Sequence, residues 1–186
     1  MFNNALNLPN LITIFRIFLV PVIIILMLRE YYVAALWFFT AAGVSDALDG
    51  YIARRFDMRT TLGSTLDPLA DKILIIASVI SLYRLGLLPE WLTVIVVCRD
   101  LIIAGGAVAW RYVIGRLQMA PLIASKINTI MQVGMIFLVL AKASGMEGIS
   151  TLLPFIFALV LVTSLLSGFQ YVLVWSKKAL DTRRAA

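Results

Sequence analysis

DALDGYIARRFDMRTTLGSTLDPLAD, residues 46–71, decides how this chain is read. Asp46 and Asp49 stand three residues apart and so share one face of a helix. Gly50, Ala53 and Arg54 carry that stripe onward. At the other end Gly63, Asp67 and Asp71 recur at intervals of four, again one face. The connection Arg55–Leu62 is short, which makes the two helices antiparallel neighbours. Their stripes can then face each other and bring four carboxylates together. Carboxylates at the ends of apolar helices are costly, and each is a functional-site candidate by default.

Four close carboxylates cannot all ionise without compensation. Lys72 and Arg54 supply part of it. Hard divalent cations supply it better, since magnesium takes carboxylate and phosphate oxygens. Two ions bridged by these carboxylates would clamp a diphosphate and stabilise both attacking and leaving oxygens. Gly50 and Gly63 leave room for a bulky headgroup, and Arg54 can pair with phosphate through two parallel hydrogen bonds. Thr60 and Thr61 place hydroxyls in the connecting loop. Asp67-Pro68 reads either as an N-cap with proline at the first helical position or as a kink within a longer helix.

Outward from this stretch the chain is apolar: 62% of its 186 residues are hydrophobic and 14% charged. Runs long enough to cross a bilayer, about 20 residues each, fall at roughly 9–28, 31–54, 67–88, 90–111, 122–143 and 150–175. The expected fold is all-α: an integral membrane protein of six transmembrane helices, forming one domain over residues 1–186. No internal repeat is visible. The first segment reads as a retained span, because it lacks a basic leader and holds Arg16. Basic residues favour the cytoplasmic side. Arg54, Arg55, Arg59, Arg111, Arg116, Lys177, Lys178, Arg183 and Arg184 fall on the side of the termini, against Arg29, Arg84 and Lys142 opposite. Both termini and the 55–62 loop are therefore expected in the cytoplasm. The net charge of +6 suits a membrane surface rather than nucleic acid.

The single cysteine, Cys98, excludes an intrachain disulfide and reads as a packing residue. The absence of histidine excludes a Ser-His-Asp triad and a phosphohistidine intermediate. Acid–base work falls to carboxylates, lysines or tyrosines. A coupled transporter would carry its acids at the midplane of paired repeats; here they cluster toward one face. A membrane prenyltransferase would need aspartate-rich motifs on two well-separated helices.

Written out, residues 46–71 follow D-x2-D-G-x2-A-R-x8-G-x3-D-x3-D, and on this pattern the chain resembles the CDP-alcohol phosphotransferase family. The resemblance implies six transmembrane helices, usually a homodimer, dependence on Mg2+ or Mn2+, and a cytosol-facing site that splits CDP-linked lipids with release of CMP. It implies that Asp46, Asp49, Asp67 and Asp71 are metal ligands and that Asp71 is also the general base. Gly50, Arg54 and Thr60 match positions that contact the CDP-lipid. The opening Pro9-Asn10-Leu11-Ile12-Thr13-x-x-Arg16 resembles that of bacterial members, with Asn10 and Thr13 near the nucleotide.

Within the family the chain looks most like the eukaryotic-type cardiolipin synthases, through residues 62–75, 98–112 and 124–129. Phosphatidylglycerophosphate synthases share the opening and the four aspartates, and stand as the alternative. Against their later pattern, Asp100 replaces a glutamate, Ala107 an arginine and Asn128 a lysine. Glycerol-3-phosphate is a dianionic monoester and wants several cations. Phosphatidylglycerol is a singly charged diester. Loss of two cations, with Arg99, Arg111 and Lys126 kept, fits the diester. These three with Asn128 are the candidate acceptor-binding residues. The expected partners are CDP-diacylglycerol, phosphatidylglycerol and the lipids of a bacterial-type inner membrane.

Overall fold

The computed structural model describes the backbone of residues 8–55, 63–113 and 123–185, and side chains within 14–46, 48, 69–106, 123–171 and 174. Among these residues there is no strand. The helices are α1 (Leu8–Leu28), α2 (Tyr32–Arg55), α3 (Gly63–Arg84), α4 (Glu90–Val113), α5 (Ile123–Ala143) and α6 (Leu153–Ala185), with a short 3-10 turn at Ile149–Thr151. All six apolar runs are helical, as expected. The third begins at Gly63, so Pro68 lies inside α3 and not at its first position. So near the start of a helix, proline forfeits a single intrahelical bond. The sixth continues well past the predicted 175, to Ala185. Hydropathy measures bilayer thickness, whereas Lys177, Lys178, Ala179, Leu180, Arg183 and Arg184 are good helix formers uninterrupted by Gly or Pro.

The chain divides into two compact units. The first holds α1, α2 and α3, the end of α5 and the turn after it, with α1 packed against both α2 and α3. Each of these helices presents a stripe at i, i+4, i+7 and i+11, the spacing of one helical face. On α1 it runs Arg16, Val20, Ile23, Met27; on α2 Ala35, Phe39, Ala42, Asp46; on α3 Asp71, Ile75, Ser78, Leu82. The apolar members and Ser78 are buried. Each stripe ends in a charged residue. Measured from the end of α1, the start of α2 and the end of α3, the charges of Arg16, Asp46 and Asp71 stand at similar depths. At about 1.5 Å of rise per residue, each is roughly 20 Å along its helix, one common level.

The ends of α1, α3 and α5 are built alike. Tyr31 N–H donates to Leu26 C=O and Glu30 N–H to Met27 C=O; Leu87 and Gly86 do the same to Leu82 and Tyr83, and Met146 and Gly145 to Ala141 and Lys142. Each is the six-to-one and five-to-two pair of a Schellman turn, which requires a left-handed residue. Gly86 (φ 70°) and Gly145 (φ 93°) fill that position without cost, while Glu30 (φ 62°) occupies it as a non-glycine.

The second unit holds α4, the first part of α5 and α6, with α4 packed on α6. Its interior mixes Leu92, Val96, Met135, Leu153 and Val160 with Arg99, Asp100, Asn128, Gln132, Ser164 and Ser167, all buried. In both units large apolar side chains face outward instead: Phe18, Trp37, Ile123, Ile130, Phe155 and Phe169 are exposed. A charged interior beneath an apolar exterior inverts the pattern of a water-soluble domain. Ile123–Ala143 and Ile149–Tyr171 are long and apolar enough to cross a membrane, with only 33% and 17% of their apolar windows buried. Cys98, expected to pack inside, is exposed on α4. Residues 94–98 are apolar without a break, so that run does not itself separate an inward from an outward position.

Candidate active site

At the level shared by the three charged stripes two of the sequence-predicted residues, Asp46 and Asp71, come together around Arg16. Nη1 of Arg16 lies 2.7 Å from Oδ1 of Asp46 on α2 and 2.7 Å from Oδ1 of Asp71 on α3. It donates to Asp71 in a direct hydrogen bond. The two carboxylate oxygens can therefore be no farther apart than twice that contact distance. Arg16 is 1% exposed, whereas the side chains of Asp46 and Asp71 are 43% and 36% exposed. Nε and Nη2 of Arg16 are buried with no hydrogen-bond partner among the described residues. One cationic nitrogen in contact with both oxygens shows that these carboxylates, from separate helices, converge on a single positive centre, with accessible faces left over. That donor set, two half-exposed carboxylates within reach of one cation, fits a hard divalent ion.

Asp49 and Gly50 lie on α2 close after Asp46, and Asp67 lies on α3 one turn before Asp71. Arg54 is near the end of α2, Gly63 is the first residue of α3, and Asn10 and Thr13 are on the first turns of α1. The side chains of these seven residues, and Thr60 entirely, fall outside the described residues. Among the described residues no three acidic or sulfur ligands gather at one point.

The candidate acceptor residues belong to the second unit. Arg99, a candidate for binding the acceptor phosphate, is only 6% exposed. Its Nη1 pairs with the neighbouring Asp100 at 2.5 Å, and Nη2 donates to Ser125 on α5 at 2.9 Å and to Ser167 on α6. An arginine inside an apolar bundle must be paired and hydrogen-bonded, and this one is held by protein groups from three helices. Asn128 is fully buried, and its Oδ1 accepts from Thr163 at 2.8 Å and Ser164 at 2.9 Å. Lys126 is exposed on α5. Arg111 lies on α4, its side chain outside the described residues.

Sequence reasoning passed over two things. Arg16 was noted as an obstacle to a signal peptide but given no place in the site. The signal was present, since a charge in the midst of an apolar helix needs a partner. Ser125, Thr163, Ser164 and Ser167 carried no signal, because a lone hydroxyl in a membrane-type helix usually bonds its own backbone.

Fold and site together define an all-helical protein with an apolar exterior and a carboxylate centre assembled from three helices. The sequence model of the CDP-alcohol phosphatidyltransferase family matches residues 6–178, and the chain belongs to that family. It is 39% identical over 144 residues to a protein of Oryza sativa subsp. japonica named CDP-diacylglycerol–glycerol-3-phosphate 3-phosphatidyltransferase 1, chloroplastic, a match covering 68% of this chain and 44% of that one. It is 32% identical over 187 residues to the cardiolipin synthase (CMP-forming) of Homo sapiens, covering 92% and 62%. A Bacillus subtilis CDP-diacylglycerol–glycerol-3-phosphate 3-phosphatidyltransferase is 35% identical over 114 residues, covering 53% and 59%. The chain thus spans less than two thirds of the length of each of these relatives.

Proposed function

We propose that this chain is a CMP-forming phosphatidyltransferase that transfers the phosphatidyl group of CDP-diacylglycerol to the primary hydroxyl of phosphatidylglycerol, giving cardiolipin and CMP. It acts within a bacterial-type inner membrane, with six spans, both termini in the cytoplasm, and as a homodimer. The apolar exterior supports the membrane setting. The carboxylates lie about 20 Å from the capped helix ends, some two thirds of the way through a hydrocarbon core of about 30 Å. With the capped ends outside, the centre opens toward the cytoplasm.

Asp46, Asp49, Asp67 and Asp71 would hold two Mg2+ or Mn2+ ions. Bound there, the ions supply charge neutralisation of the diphosphate and of departing CMP. The protein's own residues do the rest. Asp71 accepts the proton of the acceptor hydroxyl as its oxygen attacks the phosphorus that bears diacylglycerol. The bond from that phosphorus to the CMP oxygen breaks, and CMP leaves. Asn10, Thr13, Gly50, Arg54, Thr60 and Gly63 seat the CDP-lipid. Lys126 and Arg111 meet the acceptor phosphate, while Arg99 and Asn128 fix α4, α5 and α6 behind them.

The observation that favours a phosphodiester acceptor is Asn128. At full burial its oxygen accepts from the Ser164 hydroxyl and lies 2.8 Å from that of Thr163, whose proton also reaches the Leu159 carbonyl. A lysine there could donate to the same hydroxyls, but at full burial its charge would have no water to solvate it. The position is built to be uncharged, which suits the acceptor with less charge. Glycerol-3-phosphate is the second reading, favoured by the names of the rice and Bacillus relatives.

The test is a lipid-product assay with purified protein, CDP-diacylglycerol and both acceptors together. Cardiolipin and CMP are expected, and EDTA in excess is expected to stop the reaction. Phosphatidylglycerophosphate as the main product would transfer the proposal to the second reading. Turnover undiminished by EDTA would remove the metal role.

A further inference from the structure

The unassigned group in the centre is Arg16. Its Nη1 carries two hydrogens, and two carboxylate oxygens lie 2.7 Å away, one from α2 and one from α3. Nothing else among the described residues bonds its guanidinium, since Nε and Nη2 are buried without partners. Leaving such donors unmade in a buried place is unfavourable. Among the described residues the arginine is therefore held by the carboxylate pair alone. The pair is half exposed while Arg16 is sealed, so an ion from solution can reach the carboxylates but cannot pass through the arginine.

We infer that Arg16 is a built-in counter-cation of the carboxylate centre: it offsets the repulsion between Asp46 and Asp71 while no divalent ion is bound, and thereby limits how tightly the centre takes one. Two effects compete. Orienting the ligands favours metal binding, and loss of an outer partner of this kind typically weakens it about 10–100-fold. Repulsion opposes binding, because a full positive charge stands one carboxylate away from a dication. In a partly buried setting this second effect is the larger. Arg16 therefore keeps the centre assembled without metal and holds the ion loosely enough to respond to an arriving anionic diphosphate. It is a positioning residue that acts through Asp46 and Asp71.

The binding part of this inference rests on reading Asp46 and Asp71 as metal ligands; the metal-free part does not. The experiment uses the full chain in detergent, stripped with EDTA, as wild type, Arg16→Met, Arg16→Lys, and Arg16→Met with Asp46→Asn. Thermal unfolding without divalent ions and Mn2+ titration followed by electron paramagnetic resonance are the readouts. Arg16→Met is expected to unfold at lower temperature without metal, to recover with Mn2+, and to bind Mn2+ at least about tenfold more tightly than wild type. Arg16→Lys, which keeps the charge, is expected to stay near wild type in both. Removing one carboxylate with Asp46→Asn is expected to restore metal-free stability to Arg16→Met. Unchanged or weaker Mn2+ binding by Arg16→Met would overturn the inference, as would a double variant no more stable than Arg16→Met alone. If Arg16→Met folds only in Mn2+, the inference is supported; if Mn2+ does not rescue it, the inference fails. A wild type that binds no Mn2+ would remove the proposed metal centre, and the metal-free unfolding series would still decide the charge role.

Discussion

Among the described residues two arginines are buried, Arg16 and Arg99, and they are held in opposite ways. Arg16 spans carboxylates of two other helices, and those carboxylates are 43% and 36% exposed. Arg99 pairs with the next residue in its own helix, and the side chain of Asp100 is sealed at 0%. Its remaining bonds go to hydroxyls of α5 and α6. Both satisfy the requirement that a charge inside an apolar bundle be partnered. The difference lies in reach. The Arg16 cluster leaves half-open acceptors at which a ligand can compete, while the Arg99 cluster is buried and ties three helices together. Charge in such a bundle is thus within reach of a ligand where its partners are open, and out of reach where they are sealed.

Activity separates the two clusters most sharply. Asp71→Asn should lower turnover about 10²–10⁴-fold through loss of the base, with the protein still folded, as read by CMP release and by gel filtration in detergent. If more than about a tenth of the rate survives, Asp71 is not the base and the open cluster loses its distinction.

Stability should reverse the ranking. Asp100→Asn leaves Arg99 buried without its counter-charge and should cost about 3–5 kcal/mol, measured by thermal or denaturant unfolding. Asp46→Asn should cost clearly less, because Arg16 keeps Asp71 and the site is partly solvated. Equal losses would show that exposure of the partners does not distinguish the clusters.

A smaller effect is expected from the hydroxyls. Ser167→Ala removes one donor–acceptor pair to a charged group and should destabilise by about 1.5–3 kcal/mol. CMP release at saturating lipid should be unchanged if this contact is purely architectural. The smallest change tests the helix ends that support both clusters. Glu30→Gly relieves a left-handed non-glycine residue and should raise stability by about 1 kcal/mol, seen as a higher unfolding midpoint.

Much of this was legible in the sequence, for identifiable reasons. Apolar runs announce helices whether or not they cross a bilayer, so all six were visible. Asp46 and Asp71 were visible because a carboxylate in such a run is an anomaly. The start of α3 was missed because Asp67-Pro68 suits a helix start as well as an interior. The length of α6 was missed because its last turns are polar and obey helix propensity, not hydropathy. Arg16 could not be assigned from spacing, since its partners lie on α2 and α3, far along the chain. The same holds for Asn128, whose hydroxyl donors come from α6.

The repeated corner at the ends of α1, α3 and α5 has a consequence for how the protein breathes. Fraying normally begins at helix termini, where the last carbonyls lack partners. Here the amides of Tyr31, Leu87 and Met146 reach back to Leu26, Leu82 and Ala141, so those ends are closed off by the chain itself. In hydrogen–deuterium exchange these three amides should be protected like helix interiors although they lie beyond the helices. Opening of α1 and α3 would then start from their opposite ends, which lie nearer Arg16 and Asp71.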